Sequence, residues 1–162
     1  MSHLSSENLT FKQRGGWWVV GQFSLLLIIT IIQGPGFPPE RFSGSGCHWV
    51  GGAIIAASSW ILLWGVKSLK KALTPYPYPL TETRLVREGI YAFIRHPLYF
   101  GLILGGIGIA VWRMNILAIG FSFLLGIFLN AKANREENWL IQKFPEYDDY
   151  RKTTKKIIPF IY

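Results

Sequence analysis

Two groups of side chains in the second half of the chain can seat a charged ligand. The first is Arg95-His96-Pro97-Leu98-Tyr99-Phe100-Gly101. Pro97 has no N–H to give and a fixed φ, so it fits the first position of a helix and leaves His96 at the N-cap. The unpaired N–H groups and partial positive charge of that helix start, beside Arg95 and His96, form a seat for a carboxylate or phosphate. The plainer alternative is that Arg95 and His96 only mark the cytoplasmic border of a membrane helix. The second group follows on a later helix, where Asn130, Asn134 and Glu137 stand at i, i+4 and i+7 and form one polar line. Glu136 lies about 100° further around the helix and is expected to pair with Lys132 at i−4, so that the two acids face different ways. Tyr147 and Tyr150, one turn apart, offer either an aromatic wall or interfacial anchors.

These groups need a scaffold, and half of the 162 residues are apolar. Trp17 to Gln33 and Trp49 to Val66 contain no charged residue, and each approaches the roughly 20 residues that span a bilayer. Tyr99 to Trp112 and Asn115 to Leu129 are shorter, separated by Arg113 and Met114, and read as a tight hairpin. The expectation is an all-α integral membrane protein built as one domain, with about four transmembrane helices at 17–33, 49–66, 97–112 and 115–131. No Gly or Pro interrupts the chain between Gly126 and Pro145, so the fourth helix should run past the membrane into a cytosolic segment, 132–162, that completes the site. Gly101, Gly105 and Gly108 share a helix face, a pattern that lets a neighbouring helix approach closely. Gly105-Gly106-Ile107-Gly108 is no nucleotide loop, because no strand precedes it. Thr74-Pro75-Tyr76-Pro77-Tyr78-Pro79 must be extended and reads as a stiff strap across the cytoplasmic face. Leu80 to Ile94 then returns the chain to the membrane, hinged at Gly89.

The net charge of +8 is unevenly spread: Arg41 and Arg113 fall in the first and third loops, and the other 15 Lys and Arg lie on the opposite side. This positive-inside pattern places both termini in the cytosol and accounts for the basic character without nucleic acid. Cys47 is alone, which excludes an intramolecular disulfide and a cysteine-built metal site. His48, with no other ligand type near it in sequence, fits a helix-capping role better than a metal site. Lys12 and Arg14 precede an apolar run with no small-residue cleavage site, the pattern of an uncleaved anchor.

Gly89-Ile90-Tyr91, Arg95-His96-Pro97-x-Tyr99-x-Gly101, Glu136-Glu137-x-x-Leu140, Phe144, Tyr147-x-x-Tyr150 and the late Pro159 stand in a set order over the second half of the chain. As an ordered set they resemble the membrane methyltransferases typified by isoprenylcysteine carboxyl methyltransferase and phospholipid N-methyltransferase. The resemblance implies an S-adenosylmethionine site on the cytosolic side, roofed by the C-terminal segment, with a lipid or prenylated substrate entering from the bilayer. It assigns His96, Tyr99, Gly101, Glu136, Glu137, Tyr147 and Tyr150 to cofactor binding. Arg95 and Arg151 become the cationic partners of an anionic methyl acceptor. The first two helices carry no such motif.

The residue types suit that role. Arg95, His96 and the helix start can take the cofactor carboxylate, a glutamate can accept from its ribose hydroxyls or ammonium, and tyrosine faces can hold adenine or the sulfonium. Methylation of a carboxylate neutralises opposite charges and needs positioning and dehydration rather than a base. A lipid amine would have to lose a proton first, to a carboxylate or to His96. Sterol reductases of membranes, which use NADPH, share an Arg-His-Pro region and a similar C-terminal ending and form a second reading, disfavoured by the glutamate pair. A catalytically silent membrane scaffold is the third.

Overall fold

The computed structural model describes residues 10–36, 46–78 and 84–162. The expectations placed on Arg41, on Pro79 and on the start of the Leu80 to Ile94 segment lie outside them. Within the described residues the fold is helical, with two isolated backbone bridges and no sheet. The elements are α1 (Gly16–Ile31), α2 (Gly46–Leu69), α3 (Pro97–Trp112), α4 (Ile116–Lys143) and α5 (Tyr147–Thr153). Single 3-10 turns at Lys70–Ala72 and Gly89–Ala92 join α2 to α3. Two of the helices, α2 and α4, are long and apolar enough to cross a membrane. At 16 residues each, α1 and α3 reach about 24 Å, a little short of the roughly 30 Å hydrocarbon thickness.

The outer surface agrees with a lipid environment. Trp49, Trp60, Leu63, Phe123 and Ile127 are all exposed on α2 and α4, a burden of apolar area that a water-facing surface rarely carries. Where the surroundings are as apolar as the side chains, helices associate through close packing and hydrogen bonds rather than by expelling water. Small residues on α3 supply this against α2. A Cβ at Gly101 would stand 2.8 Å from the Leu62 side chain, one at Gly105 2.7 Å from Ser58 Oγ, and one at Gly108 2.9 Å from Ile55. Ser58 Oγ donates to the Gly101 carbonyl at 2.9 Å, tying the two helices where they are nearest.

Helix α4 packs against both α1 and α3, around the fully buried Ile29, Ala110, Ala118, Leu125 and Leu129. Its start is fixed by Asn115, whose Oδ1 accepts from Ala118 N at 3.0 Å. Arg113, expected only as a loop cation, caps the end of α1: its guanidinium donates to the carbonyls of Ile29, Thr30 and Ile32, groups that a helix end leaves without partners. The chain leaves α2 through the strap, where Lys132 of α4 donates from Nζ to the Pro75 carbonyl at 3.0 Å and to Gln22 Oε1 of α1 at 2.6 Å. Gly89 turns the chain with φ +64, and a Cβ there would meet Ser68 Oγ at 2.6 Å, so both conformation and space call for glycine.

The C-terminal segment doubles back over the start of α3. Arg95 N donates to the Lys155 carbonyl at 2.8 Å, and His96 N donates to the Lys156 carbonyl at 2.9 Å. A parallel bridge between Ile94 and Lys155 completes this short seam.

Candidate functional site

The seam gathers the charged side chains. Arg95 Nε donates to Glu137 Oε1 at 2.8 Å, while its Nη1 reaches the carbonyls of Arg151 at 3.1 Å and Thr154 at 2.5 Å. Nε and Nη1 are thereby engaged within the chain, so Arg95 clamps the tail to α4. His96, buried beside it, faces a carboxylate from each ring nitrogen: Nε2 lies 3.1 Å from Glu137 Oε1, and Nδ1 lies 3.6 Å from Glu136 Oε2. The Tyr99 ring is stacked on the imidazole with centroids 5.1 Å apart, and its hydroxyl donates to Glu136 Oε2 at 2.7 Å.

His96 touches both carboxylates, yet only Glu136 turns to a neighbouring cavity, while Glu137 stays buried against Arg95 and His96. One expectation about the acids is corrected here: Glu136 does not hold Lys132, whose ammonium goes to Gln22 and Pro75 and lies 5.2 Å from the Tyr99 ring centroid.

Glu137 sits beyond the apolar part of α4, and its charge state follows from competing effects. Burial alone would raise its carboxyl, but the hydrogen bonds from His96 and Arg95 and their nearby charges prevail and hold it at about 2. Glu136 is more open, with 27% of its side chain accessible. It lines a small cavity together with Tyr91, Arg95, Leu140, Tyr147 and Tyr150, closed on the far side by Thr74 and Tyr76 of the strap. Burial raises the phenols of Tyr91 and Tyr147 and pushes that of Tyr150 up to about 12, so the aromatic walls stay uncharged at neutral pH. Tyr150 donates to the Tyr91 carbonyl at 2.5 Å. Tyr147 is 1% exposed, and its hydroxyl has no partner. A buried polar atom left unpaired costs about 1–3 kcal/mol.

The remaining expected residues divide. Tyr147 and Tyr150 do form a wall, with ring centroids 5.7 Å apart. Gly101 does not reach the cavity; it is the contact point of α3 with α2. Arg151 points outward, half-exposed, and pairs with Asp148 at 3.0 Å; only its backbone carbonyl joins the cluster. Tyr91 and Tyr76 line the cavity without having been singled out as site residues, although Tyr91 stands in one of the motif pieces.

On the other side of the seam, between α3 and α4, runs an apolar groove of about 410 Å³ lined by Phe100, Ile103, Ile107 and Ile127 and closed by Ile158 and Tyr162 of the tail. The polar cavity holds only about 80 Å³.

Such an arrangement defines a helical membrane protein with a charged, aromatic-walled cavity backed by a lipid-sized groove. The chain belongs to the Phospholipid methyltransferase family, whose sequence profile matches residues 47–147. It is 40% identical to the protein-S-isoprenylcysteine O-methyltransferase of Dictyostelium discoideum over 80 residues, which cover 48% of this chain and 34% of that one. It is also 29% identical to the 3-oxo-5-alpha-steroid 4-dehydrogenase 1 of Macaca fascicularis over 124 residues, 76% of this chain and 42% of the other. The solved structure of the eukaryotic intramembrane Ras methyltransferase, an isoprenylcysteine carboxyl methyltransferase, superposes with a TM-score of 0.64. That match covers 95% of this chain and 55% of that one at 20% identity, and shows the shared fold. The chain thus spans between a third and about two-fifths of the length of these curated relatives.

Proposed function

We propose that this protein transfers a methyl group from S-adenosylmethionine to a lipophilic acceptor at the cytosolic face of the membrane, most specifically to the carboxylate of a prenylcysteine-like thioether acid. The observation that carries the reading is the seam itself, where the 94–96 and 154–156 backbones divide an acid-and-tyrosine cavity from an apolar groove. A water-soluble donor and a membrane-dissolved acceptor need two such compartments in contact. Four membrane helices, with the cavity and both termini on the cytosolic side, complete this reading, supported by the spread of basic residues.

The side chains lining the cavity suit the chemical groups of the cofactor. Glu136 offers a partly exposed carboxylate to hydroxyls or an ammonium, Tyr91, Tyr147 and Tyr150 enclose the space with aromatic faces, and the Tyr147 hydroxyl is a donor in need of a partner. When bound, S-adenosylmethionine supplies a methyl group on a positively charged sulfur. The chain's own work is then to orient and to exclude water. His96 and Arg95 hold Glu137 ionised and fix the helix that carries Glu136. A carboxylate acceptor is already a nucleophile, so no side chain has to remove a proton.

The reductase reading keeps one observation in its favour, the longer stretch shared with the steroid dehydrogenase. Calorimetric titration of the purified protein with S-adenosylmethionine, S-adenosylhomocysteine and NADPH in parallel separates the two. Binding of the first two without the third is expected, and binding of NADPH alone would transfer the protein to the reductase class.

A further inference from the structure

The apolar groove ends at a buried cation. Lys156 is 6% exposed, and its Nζ donates to Asn130 Oδ1 at 2.8 Å and to Asn134 Oδ1, with the Tyr162 ring centroid 5.5 Å away. Asn130 and Tyr162 both line the groove, so the ammonium stands one hydrogen bond behind its wall. Two members of the polar line expected along α4, Asn130 and Asn134, thus cradle this lysine, while the third, Glu137, belongs to Arg95 and His96.

The charge balance at this end is unlike that at Arg95. There the cation meets Glu137; at Lys156 both partners are neutral amides, and among the described residues no carboxylate comes within ion-pair distance. An ammonium has three N–H groups, and two are used. A charge removed from water is costly unless an opposite charge or full hydrogen bonding offsets it. Asn130 Oδ1 also accepts from the Tyr162 hydroxyl at 3.3 Å, which leaves Asn130 Nδ2 as a second donor on the groove wall. Lys156 is moreover part of the seam, its carbonyl accepting from His96 N at 2.9 Å, so an anion held there lies against the partition of the two compartments.

We propose that Lys156 and Asn130 form the headgroup seat for a single-chain lipid acid, with the hydrocarbon chain in the α3–α4 groove and the carboxylate against the lysine. This deepens the functional reading above and rests on it, since it moves the acceptor's cationic partner from Arg95 and Arg151 to Lys156. A carboxylate is the match in preference to a phosphodiester lipid because the site offers one groove, whereas such a lipid brings two chains.

The test uses the purified full chain in nanodiscs and two probes, S-farnesylthioacetic acid and its primary carboxamide, measured by equilibrium binding to wild type, Lys156→Met, Lys156→Arg and Asn130→Ala. Wild type is expected to prefer the acid by about tenfold or more, the scale of one charge-assisted hydrogen bond. In Lys156→Met the ratio should fall near one with carboxamide affinity little changed, and Lys156→Arg should recover part of it. If Lys156→Met does not fold, Asn130→Ala carries the test, with the preference reduced at least severalfold. Equal binding of acid and carboxamide to wild type, or a preference untouched in the variants, overturns the seat; tighter binding of farnesyl monophosphate than of the acid overturns the choice of carboxylate. A preference lost in the variants with no methyl ester formed by wild type would sink the functional reading and leave the seat standing. Ester formation with the preference intact in the variants would do the reverse.

Discussion

Arg95 and Glu137, 42 positions apart in the chain, meet at 2.8 Å with about nine-tenths of each side chain buried. Their contact joins the start of α3 to the C-terminal part of α4, and the same guanidinium holds the tail through Arg151 and Thr154. Removing one partner strands a buried charge, so Arg95→Ala and Glu137→Ala should each lose about 3–5 kcal/mol of stability. Thermal unfolding in detergent measures it. A variant as stable as wild type would make the pair incidental.

The same carboxylate predicts an acid limb. Glu137 falls from an ordinary 4.5 to about 2 in the folded chain, so its contribution is complete above pH 4.5 and drains away as pH drops towards 2. Wild type should lose Tm steeply below about pH 4.5, whereas Glu137→Gln, already less stable at neutral pH, should show a shallower fall. Parallel slopes for the two proteins would locate the acid sensitivity elsewhere.

How much of this was legible beforehand can be judged from the same residues. The motif pieces contained the cluster, and the boundaries of α3, Pro97–Trp112, follow from Pro97 at its start and the Arg113-Met114 break at its end. The partners were not legible. Helix periodicity assigns Glu136 and Lys132 to each other because it counts only neighbours on one helix, while in the fold Pro75 and Gln22, 57 and 110 positions away, claim the lysine. Nor was the burial of Glu137 legible, since it depends on the folded tail and on Arg95 and His96 beside it. Arg151 was assigned by its charge and Gly101 by its motif; the spacing of Gly101 with Gly105 and Gly108 already pointed to the helix crossing, and the i, i+3 spacing of Asp148 and Arg151 allowed their surface pair.

Tyr147→Phe separates stability from binding. Its hydroxyl is buried without a partner, so deleting it should leave the ligand-free protein as stable as before or up to about 1 kcal/mol more so. Affinity for S-adenosylhomocysteine should fall severalfold, read by calorimetry. Lower stability with unchanged affinity would mean that the hydroxyl serves the fold and not a ligand.

At the α2–α3 crossing, Gly101→Val should cost about 1–3 kcal/mol, because Leu62 already stands 2.8 Å from the position of a Cβ. The cavity is remote from that contact, so affinity for S-adenosylhomocysteine measured well below the unfolding temperature should change little. A selective loss of affinity at wild-type stability would restore Gly101 to the cofactor site.

Methyl-ester formation tests the central claim most directly. Purified protein in nanodiscs is incubated with methyl-labelled S-adenosylmethionine and N-acetyl-S-farnesylcysteine, and the labelled product is treated with base. The expected result is label that enters the lipid fraction and is released as methanol, at a rate varying little between about pH 6 and 8 because a carboxylate of pKa near 3.5 is ionised throughout. No transfer to this acceptor, or a base-stable N-methyl product on a lipid amine whose rate climbs with pH, would contradict the account.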